Sequence, residues 1–116
     1  MNFLVLLVAH WVGDYVLQTS HMAVNKHKSL KWLLLHVLTY TALLLAMSQL
    51  VFSWQVGFGY AIFNGALHLI TDFFTSKLAA KFQDKPRVFY PVLGFDQLVH
   101  ISCLYWTFIN SDVLAL

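Results

Sequence analysis

Seven residues able to ligate a metal or move a proton sit inside runs of otherwise apolar side chains. "LVAHWVGDYV" (7–16) and "GALHLITDFF" (65–74) each place a His and an Asp four residues apart, and "FDQLVH" (95–100) carries the same pair in reverse order. His36 lies alone in a further apolar run. On a helix, residues i and i+4 share a face, so each pair points one way. Imidazole and carboxylate together suit Zn²⁺, Mn²⁺ or Fe²⁺, and an i, i+4 pair can hold one ion from a single helix face.

The chain that carries them is 59% hydrophobic and 10% charged. A soluble domain is about a quarter charged, so the composition reads as that of a membrane protein. The 116 residues suffice for one domain, 1–116. A lone cysteine, Cys103, excludes an internal disulfide framework and a Cys-rich metal site. Glu is absent, and the acidic residues are Asp14, Asp72, Asp84, Asp96 and Asp112. The N-terminus lacks the basic stretch and cleavage site of a signal peptide, and its apolar run continues through His10 and Asp14. It reads as a retained span.

Four apolar stretches, at 2–19, 30–53, 54–76 and 91–109, each approach the ~20 residues that a helix needs to cross the hydrocarbon. Within lipid such runs satisfy their own backbone only as helices. The expected fold is therefore all-α, a polytopic four-helix membrane bundle. Every Lys and Arg lies in "SHMAVNKHKSLK" (20–31) or "KLAAKFQDKPR" (77–87). Four spans put both segments on one side, which the positive-inside rule makes cytoplasmic. Both termini then face outward, and the expected location is a bacterial inner membrane. Gly13, Gly65 and Ala66 offer close helix approach, and Trp32, Trp54 and Tyr90 suit the interfaces.

Depth within these spans is not random. Counted from the cytoplasmic ends, Asp14, His36, Asp72 and Asp96 lie about five or six residues in, roughly 8–9 Å. His10, His68 and His100 lie about nine or ten in, roughly 14 Å. The fourth span runs opposite to the first and third, and its motif is reversed to match. All four helices thus contribute to one polar cluster in the cytoplasmic half.

An ionised Asp in mid-span costs about 2.5–3.5 kcal/mol on insertion scales. With no Lys or Arg expected at this depth, a divalent ion is the economical partner, and Zn²⁺ leads Mn²⁺ and Fe²⁺. The seven candidate ligands are His10, Asp14, His36, His68, Asp72, Asp96 and His100, enough for one or two ions. With two, three carboxylates leave a net positive site, which suits a phosphate ester and a metal-activated water as nucleophile. The competing readings are hydrogen-bonded packing elements and a metal-free proton path. Gln18 and Gln97 are the candidate catalytic amides, able to orient a ligand, a water or a phosphoryl oxygen without adding charge. Lys77 is the candidate for substrate contact, against snorkelling to the interface. His21, His27 and the remaining basic residues read as solvated, and Cys103 as packing. No nucleic-acid motif and no nucleotide loop is present.

Taken together, "HWVGDYVLQT", His36, "HLITDFF" and "FDQLVH" resemble the pattern of an uncharacterised family of small bacterial and phage membrane proteins, known as a domain of unknown function. The resemblance spans nearly the whole chain. It implies four membrane helices and marks His10, Asp14, Gln18, His36, His68, Asp72, Asp96, Gln97 and His100 as defining positions. It implies no reaction. In style of motif the chain also distantly resembles inner-membrane proteins labelled metal-dependent hydrolases. The favoured reading is an intramembrane metal-dependent hydrolase that acts on a lipid or lipid-linked phosphoester from the cytoplasmic side. The alternatives are a metal-ion or proton transporter, and a structural-metal membrane module that binds a partner. A homo-oligomer is compatible with all three.

Overall fold

The first apolar run coils as α1 (Asn2–Trp11) and then widens into a π-helical segment (Val12–Val16), where the Leu17 N–H donates to the Val12 carbonyl over 2.8 Å. The Thr19 hydroxyl accepts from the Met22 N–H and starts a short α2 (Ser20–Asn25). The long helices follow: α3 (Leu30–Ser48), α4 (Trp54–Lys81) and α5 (Pro86–Ile109). Ser53 caps α4 through the Val56 N–H, and Pro86 occupies the first turn of α5, where a missing N–H costs nothing. A 3₁₀ turn (Ser111–Val113) ends the chain. The computed structural model describes residues 2–116 and is all-α, with no strand among them.

Helix limits depart from the apolar runs in both directions. The first helical segment stops at Val16 rather than Thr19, and α3 stops at Ser48 rather than Ser53. Conversely, α4 continues past Ser76 to Lys81, and α5 begins at Pro86 rather than Pro91. Backbone hydrogen bonding does not end where hydropathy falls. Lys77 and Lys81 extend α4 as a polar end, and Pro91 is absorbed within the early turns of α5.

Around the bundle α1 packs on α3, α3 on α4, α4 on α5, and α5 meets α1 again. Phe3 lies 5.3 Å from the rings of both Tyr105 and Phe108, and the Leu116 N–H donates to the Gln55 carbonyl. The start of α1, the α3–α4 turn and the end of α5 therefore share one end of the bundle. Both basic segments occupy the other. Gly13 permits the α1–α3 approach: a Cβ there would come within 2.9 Å of the Tyr40 ring. Gly65 does the same for α4 against Thr41, whereas Ala66 is exposed and serves no such contact.

The interior divides by chemistry. Toward the termini the core is apolar, built on Leu6, Ala9, Tyr40, Leu44, Tyr60, Ala61 and Leu104. Toward the basic segments the buried polar residues His10, Asp14, His36, His68, Asp72, Asp96 and His100 are joined by the apolar Met22, Leu33 and Ala79. Outward-facing Leu38, Phe74 and Leu98 are well exposed. Two helices, α3 and α5, are long and apolar enough to cross a membrane. The α1 run is shorter, and α4 is interrupted by Asn64, His68, Asp72 and Lys77.

Candidate metal centre

Asp14 lies in the π-helical segment. His10 and Asp14 keep an i, i+4 contact, but at 3.9 Å it is beyond hydrogen-bond reach. Asp14 turns instead toward α3 and α4. Its Oδ1 lies 3.0 Å from His36 Nε2 and 3.4 Å from His68 Nε2. Asp72 Oδ2 lies 3.3 Å from each of the same two nitrogens, which are themselves 3.1 Å apart.

These spacings are the edges of a coordination polyhedron. Ligands about 2.0–2.1 Å from a tetrahedral ion stand about 3.3–3.4 Å from one another. Five of the six edges joining Asp14, His36, His68 and Asp72 measure 3.0–3.4 Å, and the carboxylate–carboxylate edge is within 4.8 Å. The Nδ1 atoms of His36 and His68 are buried with no partner, so both imidazoles meet polar groups through Nε2 alone. The four side chains fit one divalent ion, which they would hold from three helical elements. A stack fixes His68: its ring lies 4.1 Å from Tyr40 and 4.0 Å from His100, nearly parallel to both.

A second group shares Asp14. With Asp96 and His100 it offers three donors within 4.8 Å of one another. His100 Nε2 lies 3.1 Å from both Asp96 Oδ1 and Asp72 Oδ1. Asp72 therefore turns Oδ2 toward the first group and Oδ1 toward His100 of the second, while Asp14 belongs to both. Thr75 donates to Asp96 and orients it. Asp and His do not form the two separate layers expected from depth counting. They interleave in one cluster.

Of the seven candidate ligands, the structure brings six into these groups. His10 stands beside them with both nitrogens engaged. Gln97 Oε1 can only accept, so His10 Nε2 donates to it over 2.8 Å, and His10 Nδ1 accepts from the Tyr40 hydroxyl over 2.7 Å. The Gln97 amide then donates to Asp14 Oδ2 at 2.8 Å and Asp96 Oδ2 at 3.1 Å. A chain of hydrogen bonds thus runs Tyr40–His10–Gln97 and ends on two carboxylates. Gln97 is a positioning residue. Gln97→Ala is expected to lower divalent-metal affinity by about 10–100-fold, as loss of an orienting partner does elsewhere. Equilibrium dialysis against Gln18→Ala, which should keep wild-type affinity, checks this.

Gln18 is not on the Asp14 helix face. It lies in the link between the π-helical segment and α2, where its Oε1 is buried and unpartnered. It faces a cavity of about 530 Å³ between α2, α4 and α5, with Asp72, Thr75 and Asp96 among its lining residues. Lys77 does not contact the cluster. Its ammonium donates to the His27 carbonyl over 2.9 Å and lies over the Phe73 ring, pinning the α2–α3 link to α4. The cation that does reach the cluster is Lys26, whose Nζ lies 3.0 Å from Asp72 Oδ2. The expectation that no Lys could reach this depth fails because α2 folds back over the bundle, burying Met22 and aiming Lys26 inward. The sequence carried one signal of this, the capping Thr19. His27 also borders the cavity, and partial burial with the Lys28 and Lys77 charges holds its imidazole below its ordinary pKa. Cys103 lies outside the cluster, in an apolar groove with Leu98 and Trp106.

No curated protein and no solved structure matches the chain. A family model does, over residues 2–115, and by it the chain belongs to the family described as "Protein of unknown function (DUF3307)".

Proposed function

We propose that the chain is a polytopic four-helix membrane protein with a two-ion centre, and that it hydrolyses a lipid or lipid-linked phosphoester from the cytoplasmic side. The observation that carries this reading is the pair of donor groups sharing Asp14. The closed group, Asp14–His36–His68–Asp72, suits an ion with no vacant position. The three-donor group, Asp14–Asp96–His100, leaves a position free, and Asp96 and Asp72 border the cavity. Bound ions would supply Lewis acidity and an activated water there. The residues themselves hold the carboxylates in place through Gln97 and Thr75, and Gln18 offers a free acceptor to a hydroxyl of the occupant. Zn²⁺ fits the N/O donor set best, with Mn²⁺ or Fe²⁺ as alternatives.

Transport is the weaker reading. Leu6, Leu44, Tyr60 and Leu104 are at most 1% exposed in the far half of the bundle, and the polar groups buried there bond to the protein itself: Asn64 donates to Thr107 and to the Tyr60 carbonyl, and the Tyr60 hydroxyl donates to the Leu104 carbonyl. A structural-metal module is favoured by one observation, the closed first group. The test is phosphate release from short-chain phosphatidic acid and from polyprenyl monophosphate by metal-loaded protein. Release is expected from the wild type and not from Asp96→Asn. Retained metal with no cleavage of either ester in the wild type would favour the structural module.

The orientation follows from the charge distribution. A reporter that is active only in the cytoplasm, fused after Leu116, is expected to be silent, and one placed in the 77–87 segment to be active. The opposite pattern would move the cavity to the other face of the membrane.

A further inference from the structure

Lys26 stands where two roles meet. Its side chain is 16% exposed, and its ammonium touches Asp72 Oδ2, the same oxygen that completes the four-donor group with His36 and His68. It also lines the cavity, beside His27 and Lys28. An ion held by Asp72 Oδ2 removes the reason for that ammonium to stay: the carboxylate charge is taken up, and two cations so close repel. The backbone cannot carry Lys26 away. Its N–H is bonded to the Met22 carbonyl, and Lys77 clamps the next residue's carbonyl to α4. The side chain, which already lines the cavity above the cluster, is then the part that can move.

We propose that Lys26 is an exchanging cation: it neutralises Asp72 until metal binds there, and on loading it swings into the cavity to bind the anionic group of the substrate. This rests on the metal reading above and adds to it an order of events, in which metal loading creates the anion site. The occupant is a phosphate- or phosphonate-type anion. Apart from Asp72 and Asp96 on the floor, the cavity carries no carboxylate, and it has three basic side chains in Lys26, His27 and Lys28. Its walls include Val24, Phe89 and Leu93, an apolar surface on which a hydrocarbon tail can lie. Lys26 thus takes the substrate-contact role that the sequence suggested for Lys77, whose ammonium is committed to His27.

The test compares wild type, Lys26→Met and Lys26→Arg, purified in detergent. Mn²⁺ affinity is measured by equilibrium dialysis, and anion binding by phosphorus NMR line broadening with methylphosphonate and octylphosphonate as probes. Lys26→Met has no ammonium to displace and is expected to bind Mn²⁺ on the order of tenfold more tightly than wild type. Once loaded, it should bind either probe on the order of tenfold more weakly. Lys26→Arg should behave like the wild type in anion binding. Tighter binding of octylphosphonate than of methylphosphonate identifies a lipid headgroup as the source, and equal binding a free phosphate. Unchanged or weaker Mn²⁺ binding by Lys26→Met overturns the exchange, as does undiminished probe binding. A wild type that takes up no divalent ion overturns the metal reading itself, a result distinguishable from either.

Discussion

With His68 and Asp72 both replaced by alanine, the purified protein is expected to lose most of its bound divalent metal and about 3–5 kcal/mol of stability. The two positions supply half of the four-donor group, and their removal leaves Lys26 without its carboxylate, His100 with one carboxylate instead of two, and the buried Asp14–His36 pair without the other two donors. The loss extends beyond coordination. His68 is the middle ring of the Tyr40–His68–His100 stack, so its removal also opens a void between α3 and α5. Elemental analysis and thermal unfolding of the same sample check both parts. Unchanged metal content would place the ion elsewhere, and unchanged stability would mean that the cluster contributes little to folding.

The second large effect separates the two groups. Asp14 belongs to both, and Asp96 to one. Asp14→Ala is therefore expected to abolish binding at both positions, whereas Asp96→Ala should leave one ion in the four-donor group. The readout is the metal-to-chain ratio, measured alongside helicity so that unfolding is not mistaken for a lost ligand. Equal losses in the two variants would indicate a single ion held by all the carboxylates together. Full retention in Asp14→Ala would contradict the shared-ligand geometry.

Much of this site was legible in the sequence because it rests on helical periodicity and charge asymmetry. His68–Asp72 and Asp96–His100 lie on regular helix, and the i, i+4 rule places them correctly. His36 also falls where its depth suggested, against Asp14. His10–Asp14 obeys the same spacing and keeps a 3.9 Å contact across the start of the π-helical turn, but both His10 nitrogens bond elsewhere, to Tyr40 and Gln97. Nothing in "HWVGD" marks that turn beyond Gly13, whose missing side chain lets the segment press on Tyr40. Gln18 was misplaced for the same reason, since the helix that would have carried it ends at Val16. That Lys26 rather than Lys77 reaches the cluster was hidden because a helix of six residues, α2, leaves almost no periodic trace. Helix ends were the least legible part of the fold: Lys77 and Lys81 extend α4 where hydropathy alone would end it.

The buried His and Asp residues are proposed to hold divalent metal. The most direct measurement is the metal-to-chain ratio of wild-type protein, extracted from membranes without chelator and analysed for all transition metals. About two ions per chain are expected, one in each group that Asp14 joins. A folded, metal-free protein that takes up no Zn²⁺, Mn²⁺ or Fe²⁺ when these are supplied would contradict it.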